Sequence, residues 1–471
     1  MTVHIAHLGH RTYWMPLVLS CVATFLLISY STIMTVAVPA ISADLMVDFG
    51  PLQWAIDIYT IVLAALLVPV GALSDRVDRG KLLAAGLAVF AGSSLLCAVA
   101  SGIPMLTAGR GLQGLGAAMM FATTLPLLES SYAGKSRDVA FAVWGAVSGL
   151  ASAAGNVIGG LLSAFAWRGI FVVAVPIALV AVVVALLFLR PEVPGSFRST
   201  DGPGMLLLAV AVGDIVVVLL LLADGSSGMS VMTAIVVFIV AAALLIIREH
   251  RAMSPLFATS LVTSRKFGAV VLVAAVYYFA AFGPLPLLSQ WLQEGVGQSV
   301  VSTSLILSAQ PVVFFVVSAA AGTRLARLHR RGLFGWGLVV CGAGCAAMLL
   351  AAGFPVWVSL IPSLVLTGVG SGMISPVLPA AAMQGLPADQ TGVASTSMNA
   401  ARQLGLSIGV AVCALILRMT QRSGYGLDAG LGATGVMCTV MCLLAAVGVR
   451  CLLPSTQRES GSPSVLGRFR G

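Results

Sequence analysis

The stretch WAIDIYTIVLAALLVPVGALSDRVDRGK, Trp54 to Lys81, decides the class of the fold. It opens on one carboxylate, Asp57, runs through a long apolar segment, and ends in a short loop holding Asp75, Arg76, Asp78, Arg79 and Lys81. A helix needs roughly 20 apolar residues to cross about 30 Å of hydrocarbon. Segments of this kind recur along a chain of 471 residues that is 59% hydrophobic and only 9% charged. Soluble domains carry about 25% charged side chains, so the chain cannot furnish an ordinary water-facing surface. It reads as an all-α integral membrane protein and not as a soluble enzyme.

Apolar runs between charged or Pro/Gly breaks predict fourteen spans, near 14–37, 52–74, 81–100, 104–129, 139–164, 168–190, 203–223, 229–248, 267–289, 303–323, 333–353, 356–383, 391–417 and 430–453. These runs do not alternate apolar and polar residues, as the strands of a membrane barrel would. The run from Trp14 is read as the first span, because no small-residue cleavage site follows it. Of 25 Lys and Arg, the loops on one side lack only Arg168, Arg418 and Arg422, plus Arg110 and Arg402 within spans. The positive-inside bias then predicts that both termini are cytoplasmic. The excess of Arg over Lys, with abundant Ala, Gly and Val, points to a bacterial source and hence to the plasma membrane.

The net charge of +9 therefore marks loops, not a nucleic-acid surface. Cys341 with Cys345 and Cys438 with Cys442 have i,i+4 spacing, but no His or carboxylate joins either pair. All eight cysteines read as small packing residues, and neither a metal nor a cofactor is expected. His4, His7 and His10 read as a solvated tail. No complete phosphate-cradling loop is present to hold ATP, because Glu129 stands where Gly134-Lys135-Ser136 would need its leading glycine. The expected partners are the lipid bilayer, protons and a small-molecule substrate, and the chain is expected to be a monomer.

An internal repeat organises the spans. Gly71, Arg76 and Arg79 align with Gly322, Arg327 and Arg330, and Gly114 and Gly116 align with Gly368 and Gly370 at a similar offset. The reading is a six-helix bundle over 1–190, two inserted helices with their linkers over 191–266, a second six-helix bundle over 267–453, and a tail over 454–471. Halves related in this way hold substrate near the midplane and rock around it.

Ionisable residues inside spans are the main functional clue, since burying one costs roughly 2.5–3.5 kcal/mol even on a lenient scale. They normally face the bundle interior. Asp57 and Arg110 both lie roughly 8–9 Å in from the outer face at about 1.5 Å rise per residue. Asp57 is the candidate proton carrier and Arg110 its tuning partner: burial favours the neutral carboxyl and a nearby guanidinium the ionised one. Asp214 has no assigned role. Candidate cavity residues are Tyr30 and Thr35, on the hydroxyl-bearing first span with Ser20, Thr24 and Ser31, then Gln113, Tyr277, Tyr278, Phe282, Asn399, Arg402 and Gln403. Gly145, Gly149, Gly155 and Gly159 fall at small-xxx-small spacing, which permits close helix approach.

Several motifs together carry a family resemblance: Trp54-Ala-Ile-Asp-Ile-Tyr59, Gly71-Ala-Leu-Ser-Asp-Arg76 with Arg79, Arg110-Gly-Leu-Gln-Gly-Leu-Gly116, Gly155-Asn-Val-Ile-Gly-Gly160, Trp167-Arg168 and Arg402-Gln-Leu-Gly405. In this order they resemble the major facilitator superfamily and, within it, the fourteen-helix drug:proton antiporter-2 family. That resemblance covers nearly the whole chain. It implies the major facilitator fold, proton-coupled export of drugs or antibiotics, a conformational latch at Gly71, Asp75, Arg76 and Arg79, and a gate at the glycines of the fifth span. The chain departs from the family pattern at Tyr30 and Thr35, where an Asp and an Asn are usual, at Asn156 for a Pro, and at Asp78 for a Gly. Two other readings stay open: a facilitator or importer of the same fold, and a non-transporting membrane sensor or scaffold.

Overall fold

The computed structural model describes residues 13–47, 49–189, 202–224, 227–251, 264–324, 330–383 and 391–452. Within them every regular element is a helix. In lipid a chain must satisfy its own N–H and C=O groups, and continuous runs of Leu, Val, Ala and Ile do so as helices. The first six are α1 (Met15–Leu45), α2 (Phe49–Ser74), α3 (Arg79–Ala98), α4 (Ile103–Ser131), α5 (Gly134–Phe165) and α6 (Arg168–Phe188). Then come α7 (Gly202–Asp224) and α8 (Gly228–Arg251). The second set begins with α9 (Arg265–Ala281, resuming over Leu285–Gln290 and closing in a π-helical turn at Trp291–Gly295) and α10 (Val300–Leu307 and Ala309–Arg324). It continues with α11 (Arg330–Ala346 and Met348–Gly353), α12 (Ile361–Ile374 and Leu378–Met383), α13 (Thr391–Arg422) and α14 (Leu427–Leu452).

Thirteen of these are long and apolar enough to cross a membrane, and α7 adds a shorter described apolar stretch, Gly202–Val218. The protein is a multi-pass membrane protein. Hydropathy marks the lipid boundary rather than the helix end. Thus α1 continues past the expected stop near 37 to Leu45, where Met46 at φ 50° caps it by donating its N–H to Ser42. Several spans of the second set, expected as unbroken helices, are interrupted: α9 turns at Gly283-Pro284 and α12 at 375–377 around Pro376. Pro lacks the N–H that would continue the ladder.

Close backbone contacts occur twice over, once in each set of six. A Cβ at Gly114 of α4 would sit 2.6 Å from the Tyr59 carbonyl of α2, and one at Gly368 of α12 would sit 2.6 Å from the Gln310 carbonyl of α10. Gly116 faces Gly86 and Phe90 of α3, while Gly370 faces Gly337 and Cys341 of α11. Gly155 and Gly159 of α5 press on Ser29 and Ile33 of α1, as Gly405 and Gly409 of α13 press on Ala275 and Phe279 of α9. Each place has room for hydrogen only, so backbones meet and dispersion replaces the missing hydrophobic drive. The α7 helix packs on α2 and α13, one from each set. By contrast α8 has only 11% of its membrane window covered by protein, against 78% for α4, so α8 faces lipid and α4 the interior.

Candidate transport site

Arg110 is fully buried on α4. Its Nη1 donates to Gln113 Oε1 at 2.8 Å and its Nη2 to the Tyr30 carbonyl at 3.2 Å, with the guanidinium 4.2 Å over the Tyr59 ring. Gln113 passes the chain on, donating to Ser94 Oγ at 2.7 Å. Tyr30 donates its hydroxyl to the Ile170 carbonyl, and Tyr59 donates to the Leu27 carbonyl at 2.6 Å. This network ties α1, α2, α3, α4 and α6 together wholly within the first half. Asp57 is half-buried on α2 and acts on Arg110 through space, while the hydrogen bonds of Arg110 go to Gln113 and Tyr30.

Arg402 on α13 is only 2% exposed, yet it makes one hydrogen bond, from Nη1 to Asn399 Oδ1 at 3.2 Å. Its Nε and Nη2 have no partner among the described residues, nor have Asn399 Nδ2 and Trp144 Nε1. Its guanidinium lies 5.6 Å from the Tyr277 and Tyr278 rings of α9 and 5.8 Å from Trp144 of α5. Each of these residues stands roughly 15–20 Å from the start of its helix at about 1.5 Å per residue, well inside the span. Tyr277 and Tyr278 meet edge to face at 4.8 Å, and Phe282 continues the wall at 4.9 Å. This cluster therefore draws on both halves. Gln403 is buried beside it on α13. The side chain of Thr35 lies outside the described residues.

The loop after α2 joins the halves at one end. Asp75 Oδ1 accepts from Arg79 Nη2 at 3.2 Å, and Oδ2 accepts from the Val393 backbone N–H at 3.1 Å, in the first turn of α13. That N–H is one of the four that a helix leaves unpaired at its start, so the carboxylate caps α13. Arg79 Nη1 adds a bond to the Pro126 carbonyl of α4 at 3.3 Å. Gly71 lies directly against Thr396, leaving no room for a Cβ, while Arg76 Nη1 is buried without a partner among the described residues.

The four glycines of α5 divide between two neighbours. Gly145 and Gly149 face α10, at Ser318 and Phe314, and so lie between the halves. Gly155 and Gly159 face α1 and lie within the first half. Asp214, half-buried on α7, enters neither arginine cluster. Sequence reading missed Trp144, whose signal was an indole placed mid-span rather than at the interface where Trp usually sits. It quoted Gly405 in a motif but missed that Gly405 and Gly409 repeat the spacing of Gly155 and Gly159.

On the opposite face Arg168 donates to Asp44 Oδ2 at 2.6 Å and to the Ala100 carbonyl at 3.0 Å, while Trp167 Nε1 reaches the same carboxylate at 3.1 Å. The bond from Arg168, then that from Trp167, holds the Asp44 carboxyl below the usual carboxylate range.

Comparison with known proteins agrees with this architecture. The family model for the Major Facilitator Superfamily matches residues 19–410 and 270–468. Among curated relatives, the probable actinorhodin transporter of Streptomyces coelicolor is 31% identical over 81% of this chain and 68% of its own length. The methylenomycin A resistance protein of Bacillus subtilis is 31% identical over 83% of this chain and 84% of its own. The multidrug efflux pump LfrA of Mycolicibacterium smegmatis is 30% identical over 89% and 83%. The crystal structure of the human organic anion transporter MFSD10 shares the fold, with a TM-score of 0.66 at 16% identity over 93% of this chain and 98% of that one. The chain belongs to the major facilitator superfamily.

Proposed function

We propose that this chain is a proton-coupled exporter of small amphipathic compounds, drugs or antibiotics, working by alternating access in a bacterial plasma membrane. The observation that carries the reading is the buried cluster of Arg402, Trp144 and Tyr277, built from both halves. A site shared between halves changes shape when they rock, which is what alternating access requires. Relatives at about a third identity named for multidrug efflux and antibiotic resistance support export over a scaffold role. The units that move are residues 1–190 and 267–453, with 191–266 inserted between them, 454–471 as a tail and both termini cytoplasmic. The chain acts as a monomer without a cofactor. Gly71, Asp75, Arg76 and Arg79 then form a cytoplasmic latch, and Gly145 and Gly149 let α5 slide on α10.

Asp57 is the proton carrier in this scheme, with Arg110 fixing the field it sits in. One proton moving down about 100 mV supplies about 2.3 kcal/mol, enough for roughly 50-fold accumulation at about 1.4 kcal/mol per decade. The test is dye or drug efflux from a pump-deficient host, with and without protonophore, and pH-driven uptake into inverted vesicles. Wild-type protein gives protonophore-sensitive efflux and Asp57→Asn loses pH-driven uptake. Full uptake by the variant ends the assignment of Asp57.

A further inference from the structure

We infer that the Arg402 cluster recognises an anionic group, a carboxylate or phenolate, carried on a planar aromatic substrate. This rests on the export reading above, because it names the substrate class of that same site. A guanidinium offers five N–H donors and no acceptor. Here only Nη1 has a protein partner among the described residues, and Asn399 Nδ2 and Trp144 Nε1 in the same cluster are unpartnered donors as well. The cluster is thus rich in donors, its tyrosine hydroxyls are only neutral acceptors, and no carboxylate pairs with Arg402 among the described residues.

An unpaired buried cation carries a heavy desolvation penalty. An arriving carboxylate relieves it through a forked, charge-assisted pair that the planar guanidinium is shaped to make. A cationic ligand meets repulsion from the same charge, and a neutral one lacks the acceptor strength. The rest of the ligand is specified by the rings. Tyr278 and Phe282 are half-buried, and the wall they form reaches Phe314 of α10, 6.2 Å from Phe282. An aromatic acid can place its charged head on Arg402 and its ring along Tyr278 and Phe282. Arg110 is the poorer site: both of its terminal nitrogens are bonded within its own half, and only its Nε lacks a partner among the described residues.

The test is equilibrium binding of radiolabelled 2-naphthoate to the purified full-length chain in lipid nanodiscs, with 2-naphthamide and 2-naphthylmethylammonium as competitors. Unmodified protein is expected to prefer the naphthoate at least tenfold over the amide and more over the cation. Arg402→Gln is expected to erase that preference while still binding the amide, and Arg402→Lys, which keeps the charge but not the fork, to retain a smaller one. Equal affinity for the three ligands in the unmodified protein overturns the inference, and so does a preference that survives Arg402→Gln. The first arm needs no variant, so a misfolded substitution cannot shield the idea. Binding also needs no proton gradient. Protonophore-sensitive efflux without anion preference defeats this inference alone, whereas anion preference without pH-driven transport defeats the export reading.

Discussion

Two arginines are buried within the spans of this membrane protein, and they are used in opposite ways. Arg110 bonds through both terminal nitrogens, to Gln113 and the Tyr30 carbonyl, and lies over the face of Tyr59, all within one half, with only its Nε unbonded among the described residues. Arg402 has one bonded neighbour, two unbonded nitrogens, and rings contributed by both halves. A buried charge whose bonds are mostly made fixes a structure. An unsatisfied one costs stability and is retained where something else uses it. The comparison separates a residue that holds a bundle together from one that, in the proposed scheme, waits on a ligand, although both are arginines within spans in the sequence.

That difference makes its largest prediction in stability. Replacing Arg110 by Ala strands Gln113 Oε1, at about 1–3 kcal/mol for a buried group left unsatisfied, and unties the bond from α4 to the Tyr30 carbonyl of α1. Thermal unfolding in detergent should fall steeply for Arg110→Ala. Arg402→Gln removes a desolvated charge that has a single bond, so it should unfold at or above the wild-type temperature while losing transport. Equal destabilisation by both changes breaks the contrast.

The next effect is on movement. A methyl group at Gly149 must displace Phe314, the contact through which α5 meets α10 between the halves. Gly149→Ala should slow efflux about tenfold, equivalent to about 1.4 kcal/mol, and Phe314→Ala should restore it in the double variant. Gly159→Ala presses instead on Ile33 within one half, so it should lower stability and should not be rescued by Phe314→Ala.

A smaller effect is expected at the latch. Asp75→Ala removes both the ion pair with Arg79 and the cap on Val393, and losing a cap costs about 0.5–2 kcal/mol. Because the cap joins the halves, the loss should appear as faster labelling of a cysteine placed at Thr396, with little change in unfolding. The smallest effect is at Arg168, whose pair with Asp44 is exposed to solvent. The depressed carboxyl of Asp44 contributes above the ordinary carboxylate range and ceases to contribute as pH falls through its folded value. Arg168→Ala should therefore be slightly less stable than wild type at pH 7, and the gap should close in strong acid.

Much of this fold is legible in the chain because lipid imposes one simple rule, continuous apolar runs separated by charged loops. The rule fails where its physics stops applying. Leu45 ends α1 well past the lipid boundary, and Pro284 and Pro376 interrupt spans whose apolar composition is unbroken. The site was half legible. Rarity alone singled out Arg110 and Arg402, and spacing singled out the α5 glycines. Neither could show that Gly145 and Gly149 face α10 while Gly155 and Gly159 face α1. Nor could spacing show that Trp144 closes over Arg402 from the other half, since that contact exists only once three helices have packed. Depth along the helix placed Asp57 and Arg110 at one level, but the face each presents is a tertiary fact, and Arg110 bonds to Gln113 and Tyr30.

The central claim is that the Arg402 cluster is a site reached in turn from the two sides of the membrane. A single cysteine at Tyr278, in a chain freed of its eight native cysteines, tests it with a membrane-impermeant maleimide applied to right-side-out and inverted vesicles. The account predicts labelling from both sides, suppressed from each by an aromatic carboxylate. Reaction from one side only, or from neither, would contradict it.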